Sequence, residues 1–184
     1  MYQGIQRGLG VGFSGSVENA GSAIIEGGAL KDSFVGDDRP TGDGLKGVYF
    51  ATMTLSGPSQ SRVDPMVDFD WGMGPPGFGE LGADRISIRW TGRVEAPFTE
   101  TYRFCTGTDD GARLWINREL LVDKWVDQAP AEWCGSIDLR AGQKYEVTME
   151  YYENEAGAVA QLYWSSPSLT KAIIPKARLY STTR

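Results

Sequence analysis

The stretch RISIRWTGRVEA, residues 85–96, decides the fold. Ile86, Ile88 and Trp90 alternate with Arg85, Ser87 and Arg89. In an extended chain neighbouring side chains point to opposite faces, so this period of two predicts a strand with one packed face and one wet face. Working outward, ARLWINRELLVDKW (112–125) reads as a hairpin turning at Asn117 and Arg118, and LRAGQKYEVTMEYY (139–152) as a second hairpin turning near residues 141–144. In the latter, Tyr145, Val147, Met149 and Tyr151 are expected to face inward, and Glu146, Thr148 and Glu150 outward. AQLYWSS (160–166) follows as a partner strand. GMGPPGFGELG (72–82) is too rich in Gly and Pro for a central strand and reads as a surface loop. Helical periodicity is nowhere sustained, and no internal repeat is visible. About nine strands after Leu45 point to an all-β, antiparallel sandwich or barrel.

Composition narrows the chemistry. The chain has 184 residues, 41% hydrophobic and 23% charged, which fits one soluble globular domain with an extra arm. Residues 1–44 hold 11 of the 24 glycines and no tryptophan, whereas all six tryptophans lie between Trp71 and Trp164. The expected division is a Gly-rich arm or linker at 1–43, able to pack as an extra strand or two, and a β domain at 44–184. With 18 Lys and Arg against 24 Asp and Glu, the net charge is −6, so a nucleic-acid partner is not expected. The absence of histidine removes the residue most used as general base and transition-metal ligand. Carboxylates, amides, hydroxyls and indoles remain, a set that suits hard cations and sugar rings. No stretch approaches the ~20 apolar residues of a membrane helix. The opening MYQGIQRGLGVGF lacks the apolar core of a secretory signal and is equally the edge of an excised domain.

Two local features carry chemistry. Cys105 and Cys134 both fall in strand-like sequence, TYRFC and EWCGSIDL, and two readings stand: a lateral disulfide, or two buried thiols. A closed bridge would restrict the unfolded chain by roughly 3 to 4 kcal/mol and argue for an oxidising compartment. TDDGARLWIN (108–117) sets two adjacent carboxylates, Asp109 and Asp110, at a strand end before a glycine. Consecutive strand residues diverge, so the pair could grip one ion only across an unusual backbone such as a cis peptide. Asp-Asp-Gly is also ordinary turn chemistry, and spacing alone favours the turn.

GLKGVYF (44–50), FDWG (69–72), RISIRWTGRVEAP (85–97), YRFCTGTDDGARLWINRELLVDKW (102–125) and LRAGQKYEVTMEYYENEAGAVAQLYW (139–164) occur in one order. From about Gly44 to Tyr180 that ordered set resembles the protective-antigen-like, or PA-14, domain family. The resemblance implies a β-sandwich or barrel of the kind found in glycosidases, adhesins, toxins and surface proteins. It implies further that Asp109 and Asp110 match the consecutive aspartates, joined by a cis peptide, through which sugar-binding members hold calcium. The matching second loop is ENEAGA (153–158), with Asn154 as side-chain ligand and Glu155, Ala156 or Gly157 supplying further oxygens. Calcium takes six to eight oxygens in flexible geometry, whereas magnesium demands a tighter octahedron. Asn154 also reads as a plain turn residue. Glu100 and Thr101, where the family often has a glycine, and the two cysteines depart from its pattern.

Sugar sites usually add an aromatic face. Trp125 and Trp133 flank the segment 123–135; Trp125 matches a family position and reads as a plug under the loop, leaving Trp133 as the carbohydrate-contact candidate. Trp90, Trp115 and Trp164 sit in alternating context, where core packing is the default for at least two. The function expected from the resemblance is a non-catalytic, calcium-dependent lectin or adhesin module of a larger extracellular or cell-surface protein, monomeric, with a glycan partner and no membrane insertion. The alternative is a spacer or protein-interaction domain stabilised by calcium. A hydrolase would need Asp109 with Glu153 or Glu155 about 5 to 9.5 Å apart across a sugar, a poor fit for carboxylates whose ionised form a cation already stabilises.

Overall fold

The alternation at 85–96 forms a strand, β6 (Ile86–Glu95), whose Ile86, Ile88, Trp90 and Val94 are buried. The structure is a computed structural model that describes residues 40–181 and, before them, two short strands, β1 (Ile24–Glu26) and β2 (Ala29–Lys31). The chain divides into two units, Met1–Arg39 and Pro40–Arg184. In the first, β1 pairs antiparallel with β2; the rest of what is expected of the arm lies outside the described residues.

In the second unit follow β3 (Leu45–Phe50), β4 (Ser59–Asp64), β5 (Asp68–Gly72), β6, β7 (Glu100–Asp109), β8 (Ala112–Ile116), β9 (Glu119–Lys124), β10 (Ala131–Leu139), β11 (Lys144–Glu153), β12 (Ala158–Ser166), β13 (Leu169–Ile173) and β14 (Leu179–Tyr180). Short edge strands such as β4, β13 and β14 account for the excess over the nine expected. All pairings are antiparallel and form two sheets, one ordered β4-β3-β6-β11-β8-β9 and the other β10-β7-β12-β13. β14 pairs with β6 beyond the end of β3, and β5 pairs with β12.

The core lies between the sheets. Tyr49, Trp90, Met149, Tyr151, Leu114 and Ile116 come from the first, Tyr102, Phe104, Leu162 and Trp164 from the second, and all are buried. Aromatic rings join the layers: Phe69 stacks on Trp90 with centroids 5.9 Å apart, and Trp71 meets Tyr151 at 6.1 Å. Both hairpins turn where the sequence places them. Asn117 and Arg118 adopt φ of 50° and 69°, and Gly142 a φ of 73°, the left-handed backbone of tight turns.

Two side chains expected to meet solvent on the outer face are covered instead. Ser87 is buried, because its hydroxyl donates to the Thr52 carbonyl at 2.6 Å and accepts from the Leu55 N–H at 3.0 Å, under the segment after β3. Glu150 is only 7% exposed, since Arg89 and Arg113 stand directly opposite it on the flanking strands and close over it, at 2.6 and 3.2 Å. Tyr145 faces inward as expected and packs on the core, half-buried, its hydroxyl accepting from the Arg140 N–H at 2.8 Å. Cys134 is paired in register with Cys105 across β10 and β7, and the two form a disulfide.

Candidate metal centre

β7 ends at Asp109 and β8 begins at Ala112, so Asp110 and Gly111 make the corner. The Asp109–Asp110 peptide is cis. Gly111 is required by close approach: a Cβ there would lie 2.3 Å from Tyr152 Cε1 and 3.0 Å from the Lys124 carbonyl oxygen. The Gly111 carbonyl accepts from the Tyr152 N–H at 3.0 Å, which fixes the corner against the end of β11.

That end delivers a third acid. Asp109, Asp110 and Glu153 each offer a carboxylate oxygen, all within 4.8 Å of one another. Glu153 is fully buried, Asp110 is 6% exposed and Asp109 is half-buried. Asp110 is committed on both oxygens: Oδ1 accepts from the Gln128 N–H and Oδ2 from the Asn154 N–H, each at 2.9 Å. Among the described residues the Asp109 carboxylate accepts no hydrogen bond, and the buried Glu153 Oε1 has no partner. An unpartnered buried oxygen carries a desolvation penalty that a bound cation would remove.

The electrostatics agree. Burial raises the Asp109 carboxyl above its ordinary value, and the neighbouring Asp110 charge adds to it. Glu153 is pushed up to about 8, first by burial and then by Asp110, Asp109 and Asp84. Asp109 and Glu153 both resist ionising at this corner unless a cation joins them. The donors are all hard oxygens, which fits calcium.

The second loop closes on the same corner. Besides its N–H bond to Asp110, Asn154 donates from Nδ2 to Asp127 Oδ2 at 3.1 Å, leaving its Oδ1 unspent among the described residues. Glu155 and Ala156 are exposed, Ala156 with φ 83°, and Glu155 makes no polar contact among the described residues. A Cβ on Gly157 would stand 3.5 Å from Asp109 Oδ2, so this backbone runs beside that carboxylate. Asp109, Asp110, Asn154 and Gly157 are thus brought together, and Glu155 is turned to solvent.

The loop expected at 123–135 is shorter and brings in a residue that the sequence does not mark, Gln128. β9 and β10 leave only residues 125–130 between them, so much of the expected 123–135 loop is strand, and Trp133 lies on β10. Gln128 binds Asp110 through its N–H, and its Nε2 donates to the Asp110 carbonyl at 3.1 Å. Its Oε1 accepts from Trp133 Nε1 at 3.0 Å, which ties the indole to the acidic corner. Trp133 is 38% exposed, with Lys124 Nζ 4.1 Å from its ring centroid. Trp125 packs on Tyr152 at 4.7 Å and under the Arg113 guanidinium at 4.1 Å. Cys105, Glu132 and Cys134 also cluster, but the sulfurs are bonded to each other and cannot ligate. Sequence reasoning passed over Glu153 as a ligand, yet period two from Tyr151 places it on the inward face, a signal in the sequence itself.

Comparison with known proteins bears on this corner. The family model described as PA14 domain matches residues 42–177. The anti-sigma-I factor RsgI3 of Acetivibrio thermocellus is 49% identical over 140 residues, covering 76% of this chain and 22% of that protein. A solved structure described as an anti-sigma factor domain-containing protein superposes with a TM-score of 0.75 at 48% identity, over 77% of this chain and 48% of its own. A PA14 sugar-binding domain from an RTX adhesin has the same fold, with a TM-score of 0.63 at 15% identity, over 77% of this chain and 99% of its own. The chain therefore spans about a fifth of the curated relative and about half of the solved anti-sigma chain.

Proposed function

This chain belongs to the PA14 domain family, and on that premise we propose that it is a calcium-dependent carbohydrate-binding module without catalytic activity, part of a larger extracellular or cell-surface protein. One observation carries the reading. Three carboxylates converge within 4.8 Å around a buried Glu153 oxygen that no group among the described residues satisfies. Asp109, Asp110 and Glu153 would hold the ion, with Asn154 Oδ1 and a carbonyl from the 155–157 backbone completing part of its shell. Bound calcium would offer its remaining positions to sugar hydroxyls. Trp133, tethered to the same corner through Gln128, would supply the apolar face.

The protein's own residues perform the rest. Asp110 clamps the 125–130 and 153–158 loops through two N–H bonds and so sets the rim on which a ligand would sit. The carboxylates lie closer together than the roughly 5 to 9.5 Å that a hydrolase keeps between its pair, which supports binding rather than hydrolysis. The disulfide supports an oxidising compartment. Identity of 48–49% to anti-sigma proteins supports a parent of that kind, with glycan recognition as its input.

A glycan array with calcium and again with chelator tests the reading, alongside calorimetry of calcium binding. Glycan signals that require calcium and vanish in Asp109→Asn support it. The second reading, a spacer whose calcium only stabilises the domain, is favoured by Asp110 spending both oxygens within the fold. It prevails if calcium raises the melting temperature while no glycan binds.

A further inference from the structure

At the end of β8 remote from Asp110, the outer face of the larger sheet carries an open groove of about 300 Å³ lined by Trp115, Arg118, Glu146, Thr148 and Glu150. That volume is at the lower end of small-molecule sites, roughly 300 to 1,000 Å³. Register explains the lining: Trp115 stands opposite Thr148, and Arg113 opposite Glu150, so these side chains share the outward face of β8 and β11. Trp115 is half-buried, whereas Trp90 and Trp164 are in the core. Among the described residues neither Trp115 Nε1 nor Thr148 Oγ1 has a hydrogen-bond partner, so the groove holds unspent polar capacity beside an indole.

Arg118 sharpens the case. It occupies a left-handed turn position, φ 69°, where glycine is favoured and an L side chain costs about 1 to 2 kcal/mol. Its guanidinium meets Glu146 in bidentate fashion, Nε to Oε2 at 2.8 Å and Nη2 to Oε1 at 3.3 Å. The arginine is 84% exposed, and ion pairs of that kind contribute little to folding. Stability therefore does not account for an arginine there. A guanidinium and a carboxylate at one rim give donors and acceptors in a planar arrangement that adjacent hydroxyls match. The charged groups around the groove are already paired with one another, Arg118 with Glu146, and both Arg89 and Arg113 with Glu150. An ionic ligand would have to displace one of these pairs, which a neutral ligand does not.

We propose that this groove is a second glycan contact, which takes one neutral pyranose stacked on Trp115 with its hydroxyls read by Arg118 and Glu146, and which needs no metal. It is independent of the acidic corner, so the two readings fail separately.

The test is an array of neutral oligosaccharides probed with the full chain in EDTA. Wild type and Asp109→Asn are expected to keep the same chelator-resistant signals. Trp115→Ala, which removes the platform, and Thr148→Trp, which fills the groove without deleting anything, are expected to lose them at least tenfold while keeping the wild-type circular dichroism. Absence of any chelator-resistant signal overturns the proposal. So does a signal that both variants retain, or a concentration-dependent dimer in sedimentation that both variants abolish, since a second copy would then be the occupant.

Discussion

Glu153 Oε2 lies 3.0 Å from the Tyr151 hydroxyl oxygen, and that hydroxyl is 2.6 Å from the Asp109 carbonyl oxygen. A phenol has one proton for two acceptors. The shorter contact takes the larger share of it, and the weaker donation to Glu153 does not offset burial and the Asp110 and Asp109 charges, which push its carboxyl up to about 8. Glu153 is then a neutral acid near pH 7 when no cation is bound. A carboxyl whose folded value is raised imposes no penalty below its unfolded value of 4.5, where both states hold the proton. As pH climbs from there to about 8, only the unfolded chain ionises and stability falls; above about 8 the loss is complete. Calcium displaces the proton and reverses the trend. Melting temperature in EDTA should therefore decline across this window, and Glu153→Gln should flatten the decline. The calcium-induced rise should grow with pH, with affinity strengthening roughly tenfold per unit if one proton is released. A calcium effect independent of pH would contradict the assignment.

Neighbouring aspartates should behave differently on substitution. The Asp109 carboxylate accepts no hydrogen bond among the described residues and suffers repulsion from Asp110. Asp109→Asn should leave the metal-free fold as stable as wild type, or more so, while calcium affinity drops at least tenfold. Asp110→Ala strips the acceptor from the Gln128 and Asn154 N–H groups, at about 1 to 3 kcal/mol for each buried donor left unsatisfied. Urea denaturation in EDTA separates the two, and equal losses would show that Asp110 is no clamp.

Reduction of Cys105–Cys134 reports on the β10 edge. The bridge joins residues 29 apart on paired strands, and a loop of that length restrains the unfolded chain by about 3 to 4 kcal/mol. Cys105→Ala with Cys134→Ala should lower denaturant stability by that order with the strand content unchanged. A loss below about 1 kcal/mol would mean that the β10 to β7 ladder holds without it.

Much of this fold was legible because period two is a local property. Residues 85–96, both hairpins and the inward set Val147, Met149 and Tyr151 follow from alternation and turn chemistry alone. Ser87 and Glu150 escaped because their burial comes from partners distant in sequence, Thr52 and Leu55 for one, Arg89 and Arg113 for the other. At the site, the Asp109–Asp110 pair and Asn154 were marked by family resemblance. Gln128 was invisible, since nothing around it distinguishes a loop amide that reaches back 18 residues to Asp110 from one that faces water. Glu153 was within reach of the same alternation that placed Tyr151, but a carboxylate on an inward face has meaning only once its neighbours are known.

Trp133 separates ligand contact from metal binding. Its indole N–H is spent on Gln128 rather than on any of the three acids, and Lys124 stands over its ring. Trp133→Ala should thus leave calcium affinity within about twofold of wild type, because no ion ligand moves. If the indole is the sugar platform, the same change removes a stacking partner worth about 0.5 to 1.5 kcal/mol beyond its buried area. Calcium-dependent glycan binding should then weaken by roughly tenfold, while Trp133→Tyr restores part of it by returning an aromatic face. Calorimetry with calcium, followed by glycan titration of the calcium-loaded protein, reads the two effects separately. Glycan binding that survives Trp133→Ala would assign recognition to the ion and the 153–158 loop alone.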